Sequence, residues 1–287
     1  MFKYHLWALL LATVFDFIFG RLYSIPNPMD SIERAAAHLD RALLGDELIL
    51  LEPEKQKRFG LYMLALVLVP VFIVVMFFTM LGYEIAPWVG ILVEAVLSYF
   101  CLEGHRLFSE AIDTYRNIYG KQISGDEATL TEEAVTKLAN DASDMVLSPL
   151  FIMFLFGPVG GFLFRALDIL DKQVGYKTYR YEYFGYYIAK LFTIVNYIPG
   201  RFAGTFTAFA AKVTFGDFHW KNSQYINLRD RTKALGAFAG ALQIQLKEKS
   251  VGDADKIPAP KDIKTAALLL RNEFMLFQLF LLILVVI

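Results

Sequence analysis

Long apolar runs alternate along this chain with shorter polar stretches. Helices that cross a bilayer need about 20 predominantly apolar residues. Runs of this kind predict four membrane crossings, at 2–23, 60–82, 85–102 and 266–287. We treat residues 1–287 as a single membrane domain, with polar loops at 24–59, 103–144 and 216–265.

Two further apolar runs, 145–167 and 183–215, are interrupted by helix-breaking residues. The first contains Pro149 and the turn-forming segment 157–161, and the second contains the segment 196–201. Irregular backbone at membrane depth is tolerated only where it is buried in protein or lines a cavity. The pattern therefore predicts broken helices, with a re-entrant hairpin whose tip is 157–161; the alternative is two kinked helices with packing glycines.

The polar loops have the spacing of amphipathic helices. In the loop 24–59, Asp30 and Glu33 form a capping-box pattern and Gly45 is a stop signal. The same loop is rich in Lys and Arg, whereas the link at Tyr83–Glu84 has neither. By the positive-inside rule the long loops are cytoplasmic and the short link is outside.

Composition agrees with a membrane protein. The chain has 287 residues, of which 56% are hydrophobic and only 20% charged, and its mean hydropathy is +0.44. The net charge of −1 gives no support to nucleic-acid binding. The single cysteine, Cys101, excludes an internal disulfide framework. The expected fold class is an all-α polytopic integral membrane protein with broken or re-entrant helices and cytoplasmic amphipathic helices, embedded in a lipid bilayer. No signal-peptide cleavage site follows the first apolar run, so we expect a retained helix.

Charged residues in the apolar runs are the candidates for chemistry, because the common metal and nucleophile motifs are missing. Asp16 and Glu94 lie within predicted crossings and should face protein. Asp168 and Asp171 are three residues apart, so on a helix they could hold Mg²⁺ for a phosphate-bearing ligand. Lys177 and Arg201 could bind phosphates or carboxylates. Alternatively, the acids cap or solvate a helix and the cations mark the headgroup level.

Several short motifs resemble, in order and spacing, the CobD/CbiB family of cobalamin-biosynthesis proteins. At the N-terminus, Asp16-Phe-Ile-Phe-Gly20 followed by Pro26-Asn-Pro28 is similar to the family's opening motifs. The central matches are 135–151, 157–161, 170–171, 174–177, 184–185 and 196–201. Near the C-terminus, Ala239–Leu246 is similar to a small-residue motif of the family.

The resemblance implies an enzyme of the bacterial inner (cytoplasmic) membrane. The implied reaction joins an aminopropanol (phosphate) arm to the carboxylate of adenosylcobyric acid, in an amide synthesis that needs ATP and Mg²⁺. The implied partners are the corrinoid substrate and, through assembly, a second copy or another membrane protein. Carried over by position, Asp171, Lys177 and Asp144 are the expected catalytic residues. Asp16, Asn27, Asn196 and Arg201 are the expected substrate-binding residues, and Asp168 with Asp171 the metal ligands.

Several acidic positions of the family pattern are absent from this chain. Arg21-Leu22 stands where the family has Asp-Pro, Asn27 replaces a histidine, and Phe192-Thr193 replaces an acidic pair. Mg²⁺ chemistry depends on carboxylates. The pattern therefore leaves two alternatives open. One is an amide-forming enzyme, either active or catalytically degenerate. The other is a non-catalytic AmpE-like membrane sensor linked to β-lactamase induction, a group that Gly216-Asp-Phe-His219 resembles.

Overall fold

The computed structural model describes residues 2–22, 25–45, 52–120, 125–175, 178–216, 233–246 and 256–287. These residues form eleven helices and no β-strand. The helices are α1 (Phe2–Phe19), α2 (Pro28–Leu44), α3 (Pro53–Ile85), α4 (Pro87–Phe100), α5 (Gly104–Tyr119), α6 (Glu127–Ala142), α7 (Ser148–Val174), α8 (Tyr186–Val195), α9 (Tyr197–Phe215), α10 (Lys233–Leu242) and α11 (Pro260–Val286). A π-helical turn, Ser143–Leu147, joins α6 to α7.

The chain divides into two compact units. The first unit comprises Met1–Ala12, Leu22–Cys101 and Ile152–Tyr197. The second unit comprises Thr13–Arg21, Leu102–Phe151 and Ile198–Ile287. Helices α1, α7 and α9 have residues in both units. Each unit has its own packing, which is described separately below.

The first unit is built on α3, which packs against α2, α4 and α8. Pro53 begins α3 and Pro87 begins α4, at positions where the missing N–H of proline costs no helical hydrogen bond. The two helices approach closely, since a Cβ added at Gly82 would lie 3.1 Å from the Cα of Gly90. Pro70 lies inside α3 without ending it.

Two glycines let backbone segments of the first unit touch. A Cβ added at Gly60 of α3 would overlap the carbonyl oxygen of Phe184, and one at Gly185 would overlap the carbonyl oxygen of Val174. Side chains at these two positions would push the backbones apart, because the obstructing atoms are main-chain atoms and cannot rotate away. The segment around 184–185 is therefore held between α3 and the end of α7.

Both predicted interruptions of the apolar runs are confirmed. Gly157 breaks α7 into two parts, with φ 67° and ψ −165°, a conformation that glycine adopts without a Cβ penalty. The second break is Asn196, between the end of α8 and the start of α9, so it is narrower than the predicted segment 196–201. Pro149 was expected to break the first run and does not; the π-helical turn before α7 accommodates it. The re-entrant hairpin stays a prediction.

Helix α2 begins earlier than its sequence pattern suggested. The expected cap was Asp30, but the side chain of Asn27 accepts a hydrogen bond from the backbone N–H of Met29 at 2.9 Å, and Pro28 is the first helical residue. Gly45 ends the helix with φ 75°, as predicted. Proline is favoured at the first position of a helix, so Pro28 explains why α2 begins before Asp30.

The second unit is organised around α11, which packs against α5 and α6, while α10 packs against α6 and α11. Small side chains make these contacts possible. Fully buried alanines lie on both sides of the packing, at Ala139, Ala237, Ala239, Ala266 and Ala267. Small residues let helices approach closely, which matters most where lipid offers no hydrophobic driving force between them.

The fold class predicted from the sequence is confirmed. Four helical stretches in the described part of the chain are long and apolar enough to cross a membrane: Pro53–Ile85, Pro87–Tyr119, Glu127–Val174 and Pro260–Val286. The thiol of Cys101 is buried. The chain is therefore an all-α membrane protein, and the exact positions of its crossings stay a prediction.

Candidate functional site

Asp16 is buried, as predicted, and it holds the start of α5. Its Oδ2 accepts a hydrogen bond from the backbone N–H of His105 at 3.1 Å. The side chain is only 2% exposed. The first N–H groups of a helix have no partner within the helix, so a carboxylate at this position satisfies one of them. Gly104 permits the contact, because a Cβ there would lie 2.8 Å from Asp16 Oδ2.

Gly20 completes the same contact from the end of α1. It has φ +56°, and its N–H donates to the carbonyl oxygen of Asp16 at 2.9 Å. A Cβ at Gly20 would overlap the imidazole of His105. The Asp-x-x-x-Gly element singled out in the sequence thus supplies both the acceptor for the His105 N–H and the space for its side chain. The sequence reasoning missed His105 itself, which it placed only in a loop.

Asp144 lies in the π-helical turn before α7, within the second unit. It does not cap a helix start, because the helical stretch continues through it from α6. Its expected catalytic role stays a prediction. Arg106 of α5 donates to the Sδ of the neighbouring Met145 at 3.5 Å. Asp16 and the turn that carries Asp144 thus contact consecutive residues of α5, His105 and Arg106.

Arg106 also joins a chain of ion pairs on α5 and α6. It pairs with Glu103 and with Glu110, the latter at 2.8 Å, and Glu110 in turn pairs with Lys137 of α6. These contacts fix α5 against α6 on the side where the π-helical turn begins. The predicted ligand-binding cation Arg201 also belongs to the second unit, half-buried near the start of α9.

Asp168 and Asp171 lie on α7 in the first unit, and both are buried. Asp168 Oδ2 accepts hydrogen bonds from Arg165 Nη1 at 2.9 Å and from Lys172 Nζ at 3.2 Å. Arg165 is itself 2% exposed. A carboxylate between two cations is already neutralised, so these contacts compete with a metal ion at Asp168.

Asp171 packs against Gly175 one turn further along the chain. The N–H of Gly175 donates to the carbonyl oxygen of Asp171 at 2.8 Å, and a Cβ at Gly175 would overlap the Asp171 carboxylate. The glycine of the Val-Gly-Tyr-Lys element therefore makes room for the acid. Lys177, the predicted cation of this element, lies outside the described residues.

Two asparagines that the sequence marked for substrate binding lie in the first unit at helix ends. Asn27 is the N-cap of α2, with its side chain bonded to the N–H of Met29. Asn196 separates α8 from α9 and donates its backbone N–H to the carbonyl oxygen of Phe192 at 2.8 Å. Its side chain is half-buried. The cap explains Asn27 without a ligand; substrate binding by both residues stays a prediction.

Glu94 is the centre of a polar cluster inside the first unit. Its two carboxylate oxygens are bonded to the imidazole of His5 and to the phenol O–H of Tyr83. His5 also reaches the carbonyl oxygen of Phe154 at 3.3 Å, just before the break at Gly157. The carboxylate faces protein, as its position in an apolar run predicted, and the cluster connects α1, α3, α4 and the broken part of α7.

A metal site built from protein ligands alone has no counterpart in the described part of the chain. No group of three or more His, Cys, Asp or Glu side chains comes close enough to hold a metal ion there. Mg²⁺ in nucleotide-dependent enzymes is commonly bound through one or two carboxylates together with substrate phosphates. Asp168 fits this arrangement poorly, because two cations engage its carboxylate. Asp171 as a metal ligand stays a prediction.

Comparison with known proteins points to one family. A family model described as "CobD/Cbib protein" matches residues 9–266. A protein of Streptococcus sanguinis (strain SK36) called cobalamin biosynthesis protein CobD is 26% identical over 321 aligned positions, which cover 95% of this chain and 96% of the relative. A CobD protein of Pelobacter propionicus is 28% identical and covers 83% of this chain and 79% of its own length.

A third relative matches more strongly over a shorter length. The cobalamin biosynthesis protein CobD of Listeria monocytogenes serotype 4b (strain F2365) is 32% identical over 194 residues, 59% of this chain. The chain spans 61% of the length of this relative. No solved structure matches the chain. The comparisons give no support to the AmpE-like alternative.

Proposed function

Because this chain belongs to the CobD/CbiB family, whose model matches residues 9–266, we propose that it is an amide-forming enzyme of cobalamin biosynthesis. The proposed reaction is of the adenosylcobinamide-phosphate synthase type. It attaches an aminopropanol (phosphate) arm to a carboxylate of adenosylcobyric acid, at the expense of ATP. The relatives supply the pathway through their names, and the reaction is our inference for this chain.

The observation that carries the proposal is the Asp16–Gly20 element on α1. Both residues of this motif contact the start of α5. Asp16 accepts a hydrogen bond from the N–H of His105, and Gly20 leaves room for the His105 side chain. A buried carboxylate in an apolar helix is costly, and such residues usually serve a function. We therefore assign Asp16 a substrate-binding role in addition to its structural contact with α5.

The chemistry needs an activated carboxylate and a base for the amine. Mg²⁺ and ATP would supply the activation, with phosphate as the leaving group. Asp171 is the proposed contact for the metal that accompanies ATP; Asp168 fits that role poorly because Arg165 and Lys172 engage it. Asp144 is the proposed general base for the amine.

Cations and amides complete the proposed substrate contacts. Lys177 and Arg201 suit the phosphate groups, since charge-assisted hydrogen bonds to phosphate are strong. Asn27 and Asn196 suit polar groups of the corrinoid, because an amide side chain can both donate and accept. The roles of Lys177, Asn196 and Arg201 follow positions that match the family pattern, whereas Asn27 stands where the family has a histidine.

We place the protein in the bacterial inner membrane as a multi-pass protein, with its long polar loops on the cytoplasmic side. The excess of Lys and Arg in those loops supports this orientation. ATP and a water-soluble corrinoid are then available at the side where Asp16, Lys177 and Arg201 are proposed to act. Assembly into a homo-oligomer or with another membrane protein is part of the proposal.

Complementation tests the function directly. A strain that lacks the amide-forming step would be given this chain and grown on cobyric acid under conditions that require cobalamin. Growth, together with formation of the amide product in washed membranes supplied with ATP and Mg²⁺, is the expected result. Absence of growth despite normal amounts of the protein in the membrane would contradict the proposal and indicate a degenerate, non-catalytic member.

A further inference from the structure

The break in α7 removes one hydrogen bond from that helix. In an α-helix the carbonyl oxygen of residue 154 accepts from the N–H of residue 158, but position 158 is a proline and has no N–H. Gly157, the residue before it, has a non-helical conformation. A carbonyl group that loses its helical donor usually finds another one. For Phe154 that donor is His5 of α1, whose Nε2 lies 3.3 Å from the carbonyl oxygen.

This contact determines which nitrogen of His5 carries a proton. A carbonyl oxygen only accepts hydrogen bonds, so Nε2 must be protonated. In a neutral imidazole the other ring nitrogen, Nδ1, then has a lone pair and no proton. Nδ1 meets Oε1 of Glu94, and an ionised carboxylate also has only lone pairs. Two acceptors repel each other, so the contact between His5 and Glu94 requires one further proton.

Tyr83 does not supply this proton, because its O–H donates to Oε2, the other carboxylate oxygen of Glu94. The titratable groups of the cluster thus come from α1, α3 and α4, while α7 contributes the carbonyl oxygen of Phe154. The further proton comes from water and lies either on Nδ1, as an imidazolium beside a carboxylate, or on Oε1, as a neutral pair. Both forms contain the same number of protons, so the pair titrates as one unit.

We propose that His5 and Glu94 form a proton-binding site, and that the bound proton holds the break in α7 against α1 and α4. With the proton bound, the imidazole connects the Phe154 carbonyl oxygen to Glu94. When the proton returns to water, Nδ1 and Oε1 repel each other and the imidazole turns away from one of its two partners. Gly157 adjoins the pair, since a Cβ there would lie 3.5 Å from Oε1 of Glu94.

The position of the pair agrees with this role. Ionisable residues in apolar segments and broken helices are both common where membrane proteins bind ions or protons. The side chain of His5 is 15% exposed and that of Glu94 is 5% exposed, so a proton has a short path to the imidazole. None of these residues takes part in the proposed amide-forming reaction, and the two proposals therefore stand or fall separately.

Hydrogen exchange of the backbone amides around the break tests the site. Detergent-purified protein is exchanged between about pH 6, near the ordinary range of histidine, and about pH 10, and exchange in peptides that cover 150–165 is read by mass spectrometry. After correction for the intrinsic effect of pH on exchange, opening of this segment should increase with pH. The increase should approach about tenfold per pH unit, the dependence for release of one proton.

Glu94→Gln is the key variant, because its amide can donate to Nδ1 of His5 and accept from Tyr83 without any titrating proton. It reproduces the proton-bound pair at every pH, so exchange around the break should no longer depend on pH. His38→Gln is the matched control, since His38 is an exposed histidine of α2 in the same unit. That variant should open with the pH dependence of the wild type.

Nitrogen NMR of protein with ¹⁵N-labelled histidine gives a second readout that needs no altered cluster. The signals of His5 are identified by their absence in His5→Gln, and in the wild type they should change over the same pH range as the opening of the break. Exchange that does not depend on pH in the wild type, or equal pH dependence in Glu94→Gln, would overturn the proposal. If Glu94→Gln does not fold, the wild-type comparison decides, and a His5 titration separate from the opening contradicts the site.

Discussion

The carboxylate of Asp16 accepts a hydrogen bond from the backbone N–H of His105, 89 positions further along the chain, at 3.1 Å. The contact fastens the last turn of α1 to the first turn of α5. The first residues of α5, Gly104 and His105, also line a cavity with Arg271 of α11. Asp16 belongs to a sequence motif that contains neither His105, whose N–H it binds, nor Arg271, which lines the neighbouring cavity.

Replacing Asp16 tests this contact. Asp16→Ala leaves the N–H of His105 without its acceptor in a buried place, and it should lower the free energy of unfolding by about 1–3 kcal/mol. Asp16→Asn keeps an acceptor oxygen and should retain most of the stability but lose amide formation, because the charge is gone. Thermal unfolding in detergent, with the exposed Asp113→Ala as control, measures the first effect. Equal unfolding temperatures for wild type and Asp16→Ala would contradict the structural role.

Gly20 and Gly45 form a matched pair for a second test. Both end a helix with positive φ, but a Cβ at Gly45 would meet nothing within 4 Å, whereas one at Gly20 would overlap His105. Gly45→Ala should therefore cost on the order of 1 kcal/mol from backbone strain alone. Gly20→Ala should cost about 1–3 kcal/mol more, because it also overpacks the contact. Similar unfolding temperatures for the two variants would contradict this prediction, because the His105 side chain would then move away from the added methyl group at little cost.

The ion pair between Arg165 and Asp168 should be expensive to break from one side. Asp168→Ala removes the carboxylate that faces a buried guanidinium, and such changes cost about 3–5 kcal/mol. The double variant Arg165→Met with Asp168→Leu should recover much of the loss, since an apolar pair needs no compensation. Asp113→Ala, which removes an exposed pair with Arg116, should cost less than about 1 kcal/mol and is the control. Unfolding temperatures and expression levels distinguish these outcomes.

Gly175→Ala should act on activity through Asp171. The added methyl group overlaps the Asp171 carboxylate, so the acid must turn away from its present position. We expect amide formation to fall about as far as in Asp171→Asn, with the protein still inserted and folded. Product formation in washed membranes is the measurement. Full activity of Gly175→Ala would argue that the position of this carboxylate does not matter to the reaction.

Removing Glu94 should loosen the polar cluster in the first unit. Glu94→Leu deprives both His5 and Tyr83 of their shared acceptor and should lower the free energy of unfolding by about 1–3 kcal/mol. Tyr83→Phe removes one of the two contacts and should cost about 1 kcal/mol. Thr79→Val is a suitable control, because the Thr79 hydroxyl bonds only to the carbonyl oxygen of its own helix at Val75. If Glu94→Leu and the control Thr79→Val have the same unfolding temperature, Glu94 does not stabilise the cluster.

Features that depend on local sequence were predictable. The break at Gly157 follows from a glycine before a proline, and the end of α2 at Gly45 follows from helix stop signals. Burial of Asp16 and Glu94 followed from the cost of a carboxylate in hydrocarbon, which holds whatever the fold. These inferences needed only the residue and its immediate neighbours.

Features that depend on distant residues, or on a choice between neighbouring signals, were not predictable. Nothing near His105 indicates that Asp16 will meet its N–H, and nothing near Arg271 indicates that it will face Phe108. Pro149 alone predicts a break in the helix, but the π-helical turn before it accommodates the proline without ending the helical stretch. Asn27 and Asp30 are both good caps, and the proline at position 28 decided between them.

The pair formed by Arg165 and Asp168 has a consequence for the biogenesis of the protein. Both residues lie on α7, three positions apart, so their charges meet as soon as that turn of helix forms. A nascent segment with these charges far apart would present two separate ions to the lipid as it leaves the translocon. Here the turn brings the two charges together as an ion pair, which should cost less to place in the bilayer than two isolated ions.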